Sequence, residues 1–98
     1  MSPDDPKSHS VYVLWSPAGR CFYIGLTDNV TRRLQQHNRG VSKWTKRHAG
    51  TWRLVWHHPC ASLTEARKLE RWLKRQKRGN GFWERTGLER HRFPTAGS

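Results

Sequence analysis

Only seven of the 98 residues are acidic, few enough to assign one at a time. Asp4 and Asp5 lie in a Pro- and Ser-rich opening stretch, and Glu84 and Glu89 lie toward the C-terminus. Asp28 precedes a helical pattern and is assigned as its N-cap, while Glu65 closes a Ser62-Leu63-Thr64-Glu65 capping box. Glu70 has no such local duty. On the helix that the box opens, it falls four residues after Ala66 and three before Leu73, at the border of the apolar stripe. A carboxylate there either pairs with Lys74 one turn on or holds a divalent cation. The scarcity of acids excludes a two-metal hydrolytic centre, which needs several clustered carboxylates. A single Mg2+ keeps most of its waters and needs only one.

Tyr12 and Tyr23 are the only tyrosines. Each lies in a β-branched, aromatic run, S-V-Y-V-L-W-S at 10–16 and C-F-Y-I-G at 21–25, with Pro17-Ala18-Gly19-Arg20 as the turn between them. That turn pairs Ser16 with Cys21, Leu14 with Tyr23 and Tyr12 with Gly25. Both tyrosines then emerge on one face as diagonal neighbours, roughly 7–8 Å apart. They are either core aromatics whose hydroxyls reach solvent or a pair of proton-handling groups. Arg33 and His37 are i,i+4 neighbours flanking Val30 and Leu34. Arg33 suits two-bond capture of a phosphate, and His37 suits donation to it or activation of water. The alternatives are a solvated helix charge and a partner for the helix C-terminal dipole.

Positioning these groups takes two strands in a hairpin, a helix from the Asp28 cap to about Asn38 with Gly40 as its stop, a third strand and a second helix. The third strand is expected over Thr51–His57, with Trp52, Leu54 and Trp56 alternating against Arg53, Val55 and His57. The second helix ends before Gly79-Asn80-Gly81, and F-W-E-R-T-G-L adds a last turn. The order β-β-α-β-α gives an α+β fold, a three-stranded antiparallel sheet flanked by helices. One domain is expected over 9–90, with loose tails at 1–8 and 91–98.

Nineteen Lys and Arg against seven acids leave a net charge of +12. Self-repulsion on that scale calls for a polyanionic partner, and a phosphate backbone answers it better than an anionic membrane surface. Arg39, Lys43, Trp44, Lys46 and Arg47 mark the loop after the first helix as a nucleic-acid contact, and Arg67, Arg71 and Lys74 mark the second helix. Of the interleaved tryptophans, Trp72 is expected to pack inward. Trp44 either packs or stacks on unpaired bases. Cys21 and Cys60 lack metal-site spacing and read as reduced thiols. No secretory core and no apolar run approaching roughly 18 residues is present, so no membrane span and a cytoplasmic location are expected.

Taken in order, these residues resemble the signature of the GIY-YIG endonucleases. Ser10-Val11-Tyr12 and Tyr23-Ile24-Gly25 are similar to its two halves, and T-D-N-V-T-R-R-L-Q-Q-H-N-R-G at 27–40 is similar to the family's first helix. By this resemblance Arg33 is the phosphate-binding arginine, His37 the family's Tyr-or-His position, and Glu70 the metal-binding glutamate. The resemblance covers about residues 9–83 and is nearest to small stand-alone members similar to the N-terminal nuclease domain of the bacterial excision-repair incision subunit. It implies a metal-dependent endonuclease of bacterial origin, using one Mg2+ or Mn2+ on DNA in repair or recombination. Ser10 stands where the family has Gly, and Asn80 is the residue available for an asparagine that many members carry. Leu26-Thr27 replaces a lysine found in some members, which leaves the general base to Tyr12, Tyr23 or His37. The competing reading is a catalytically inactive nucleic-acid-binding module on the same scaffold. An HNH-type site is set aside, because His37-Asn38 and His57-His58 fall in the wrong elements.

Overall fold

The computed structural model describes residues 9–76 and 79–96. Strands β1 (His9–Ser16) and β2 (Cys21–Thr27) form the opening hairpin, and β3 (Arg53–Cys60) pairs along the other side of β1. The sheet order is β2-β1-β3, antiparallel throughout. The central place of β1 explains its composition. A strand with neighbours on both sides and helices on both faces must be apolar at every position, and Val11 to Ser16 are all buried.

Alternation along the hairpin divides the core in two. Val11, Val13, Trp15, Phe22 and Ile24 face one way, against Ala66 and Leu73 of α2 (Leu63–Gln76) and Phe82 of α3 (Asn80–Thr86). Tyr12, Leu14 and Tyr23 face the other way, against Val30 and Leu34 of α1 (Val30–Asn38) and against Trp52. The hairpin register is the expected one, with Tyr12 opposite Gly25 and Leu14 opposite Tyr23. Cys21 and Cys60 remain separate thiols packed on opposite faces of the sheet.

The third strand departs from expectation. It begins later, at Arg53, and runs on through Pro59, which an edge strand tolerates because one row of its backbone groups needs no ladder partner. Val13 lies opposite Trp56 and Leu14 opposite Leu54, so Val55 is the extra residue of a β-bulge. The bulge reverses the parity of everything beyond it. Trp52 and Leu54 stay on the α1 side, but Trp56 turns to the α2–α3 side.

Two ends also differ. The N-cap of α1 is Asn29, whose side chain accepts from the Arg32 amide at 2.9 Å. Asp28 sits one residue too early for that bond and pairs with the Arg32 guanidinium at 2.7 Å instead. At the other end, a 3-10 turn at Arg90–Arg92 returns Phe93 to the core, 5.3 Å from the Trp15 ring and 5.4 Å from Phe22. The Ala96 amide then donates to the Arg20 carbonyl at 2.8 Å. The stretch from 91 to 96, expected as loose tail, is folded against the hairpin. The expected N-terminal tail, and the basic residues Lys77 and Arg78, lie outside the described residues.

Phe93→Ala should lower the unfolding free energy by about 2 kcal/mol in urea titration, since it removes a half-buried aromatic from a three-ring contact. A tail residue would change it by less than about 0.5 kcal/mol.

Candidate active site

The site forms around β2, the edge strand that carries Tyr23 and Gly25. Gly25 makes this geometry accessible. A Cβ on it would stand 2.5 Å from the Tyr12 hydroxyl oxygen and 2.9 Å from the Tyr23 ring, so any side chain there would expel one tyrosine. With the position open, Tyr12 reaches over the β2 backbone, and its ring lies 6.2 Å from that of Tyr23.

Helix α1 is pinned against this surface by Asn38. Its carboxamide oxygen accepts from the Trp52 and Gly50 amides at 2.9 and 3.1 Å, and its nitrogen donates to the Trp52 carbonyl at 3.0 Å. The turn before Asn38 therefore drives His37 into the core, where it is fully buried. Its Nε2 lies 2.8 Å from the Tyr12 hydroxyl, and its Nδ1 lies 2.6 Å from the Thr45 hydroxyl. Burial, with the Arg33 charge adding to it, lowers the His37 pKa to about 4, so the ring is neutral at pH 7.

Tyr12 is 1% exposed. Loss of solvent, chiefly, and the neighbouring Tyr23 push its pKa up to about 12, while a hydrogen bond and the charge of Arg33 work in the opposite direction and Glu70 adds to the rise. Arg33 from α1 and Glu70 from α2 thus both act electrostatically on the one hydroxyl. Arg33, half-buried, also donates to the Gln36 side chain at 2.9 Å. Glu70 is 22% exposed, and its Oε2 lies 3.3 Å from Lys74 Nζ. Glu70 is therefore paired with Lys74 and also bears electrostatically on Tyr12.

The five side chains meet in two tiers. Tyr12 and His37 lie inside, and Tyr23, Arg33 and Glu70 are partly open to solvent. His37 therefore bears on the surface through Tyr12 and not by direct donation. A cleft of about 380 Å3 beside them is lined by Phe22, Tyr23, Ile24, Trp44 and Lys74. Arg39, Lys43, Lys46 and Arg47 are exposed on the loop, and Arg67, Arg71 and Lys74 on α2; Lys74 is the one of these that lines the cleft. Trp72, expected to pack, is exposed on the same helix. Asn80 starts α3, accepts from Arg90 at 3.1 Å and is not among the residues lining the cleft.

Two residues that position the site were not singled out from sequence. Thr45 is fully buried, orients His37 through its hydroxyl, and accepts from Trp52 Nε1 through its carbonyl at 2.9 Å. Asn38 reads as a helix end and as part of the HNH-type pattern set aside above, not as an anchor for α1. Neither belongs to a periodic pattern that could have marked it.

Among the described residues no three or more His, Cys, Asp or Glu converge as a metal cluster, and no helix is long and apolar enough to cross a membrane. The GIY-YIG catalytic domain model matches residues 8–82, so the chain belongs to the GIY-YIG family, a family of nuclease type, which implies a nucleic-acid substrate. Comparison with curated proteins and with solved structures gives no match.

The histidine makes a pH prediction. Unfolded, His37 takes its proton near pH 6.5; folded, near pH 4. Its contribution to stability is whole above pH 6.5 and is lost as pH falls toward 4. Unfolding free energy should drop by roughly 3 kcal/mol from this group over that window, and His37→Gln should remove that part of the slope in urea titrations run across it.

Proposed function

We propose that this protein is a one-metal endonuclease that hydrolyses DNA phosphodiester bonds, acting in repair or recombination in the bacterial cytoplasm. The observation that carries the reading is the buried Tyr12–His37 hydrogen bond, under the charges of Arg33 and Glu70 and behind Tyr23, which lines an open cleft.

Arg33 receives the scissile phosphate and stabilises the charge that develops on it. Glu70 fits a hard cation, because it offers oxygen donors and is partly open to solvent, and Mg2+ asks for little more than one carboxylate and a phosphate. When bound, the ion supplies neutralisation of the phosphate and of the departing oxygen. A pKa near 12 keeps Tyr12 a phenol at neutral pH, so tyrosinate is not its resting form. In the tautomer with the proton on Nδ1, His37 donates to Thr45 and accepts the Tyr12 proton at Nε2. The Tyr12 oxygen is then free to orient a water, taking the water's proton as its own passes to Nε2. His37 is a weak base in the resting site. A phosphodiester on Arg33 brings negative charge beside it and raises its basicity.

The Glu70–Lys74 pair supports the second reading, a nucleic-acid-binding module that does not cut, since the lysine already satisfies one carboxylate oxygen. Cleavage of plasmid and branched DNA with Mg2+ or Mn2+ separates the two. Wild type should cut, while Glu70→Ala should keep DNA affinity within about threefold and lose activity by about 100-fold or more. If the two proteins cut alike, the role of Glu70 is refuted. Binding with no cutting by either would leave the module.

A further inference from the structure

Trp44 is 64% exposed, although the indole is a side chain that folds normally use as core. Its backbone is not loosely placed. The next residue is Thr45, fully buried and bonded to both His37 and Trp52, and the Lys46 amide donates to the Ser42 carbonyl at 3.0 Å. The indole is thus held out to solvent by an anchored turn. It lies 5.9 Å from the Tyr23 ring and forms one wall of the cleft. Lys43, Lys46 and Arg47 are exposed on the same short loop, and Lys74 of α2 lines the same cleft. A fixed, exposed aromatic on a loop and cleft rich in cations matches the surface that single-stranded DNA uses, in which bases stack on rings and phosphates meet the charges.

We propose that Trp44 is a stacking platform for one unpaired DNA base next to the scissile phosphate, which makes a strand with an unpaired nucleotide at the cleft the favoured substrate. The proposal rests on the nuclease reading for its placement beside the scissile bond. Inside a duplex both faces of each base are covered by its neighbours, so the indole has nothing to stack on. An unpaired base leaves a face open. Tyr23 backs the indole and stands 6.2 Å from the Tyr12 ring, which sets the stacked base beside the hydroxyl assigned to direct water.

The test is fluorescence anisotropy of a labelled short DNA single strand and of its fully paired duplex, measured on the whole chain without divalent ions. Trp44→Ala should weaken single-strand binding by about five- to one-hundred-fold and duplex binding by less than about twofold; Trp44→Phe should stay within about threefold of wild type. Equal loss on both DNAs, no loss on either, or no binding by wild type would overturn the platform. Cleavage is scored separately. A protein that shows the Trp44-dependent preference but never cuts sinks the nuclease reading alone, and one that cuts with no dependence on Trp44 sinks the platform alone.

Discussion

The hydrogen bond between Tyr12 and His37 is the constraint to which the surrounding structure answers. Each group is polar and buried, and an unpaired polar group in that position costs on the order of 1–3 kcal/mol. The two must therefore satisfy each other, and one belongs to the central strand, the other to α1. Their bond sets how far along the sheet the helix lies. Thr45 completes the imidazole from its other nitrogen, Asn38 locks the helix end to the start of β3, and Gly25 leaves room for the phenol. Removing solvent from the pair also determines its chemistry. Both groups rest neutral at pH 7, so passing the Tyr12 proton to His37 creates charge on both, and the neighbouring charges decide how readily it happens.

The charges nearest the pair come from opposite layers. Arg33 stands on the α1 side and Glu70 on the α2 side, and an edge strand is where groups from two faces of a sheet can approach one another. Lys74 belongs to this arrangement as well. Bound to Glu70 and lining the cleft, it limits the unbalanced carboxylate charge in a chain whose cations far outnumber its acids.

The parts of this architecture legible in the amino-acid sequence were those governed by local, repeating rules. A four-residue turn between two β-branched runs determines the hairpin register, and with it the meeting of Tyr12 and Tyr23. The spacing of Arg33 and His37 follows from one turn of helix. The β-bulge at Val55 is different in kind. It depends on how β3 fits β1, a neighbour forty positions distant in chain order, and Val55 itself is an ordinary strand residue. Burial of His37 escaped for the same reason. Flanking an apolar stripe is compatible with inside and with surface, and the hydroxyl of Thr45 that decides the matter lies in a loop with no period. Asn29 rather than Asp28 caps α1 because both residues are good caps and a single position separates them.

The return of the chain at Phe93 and Ala96 bears on biosynthesis. The core on the α2–α3 face joins Trp15 and Phe22 to the Phe93 ring, about seventy positions later in the chain. Pairings of such long sequence separation carry a large loop-closure cost and form late. The hairpin must wait, with Trp15 and Phe22 incompletely covered, until the segment around Phe93 has been translated. The interval before that is when this face is most open to chaperone capture or self-association.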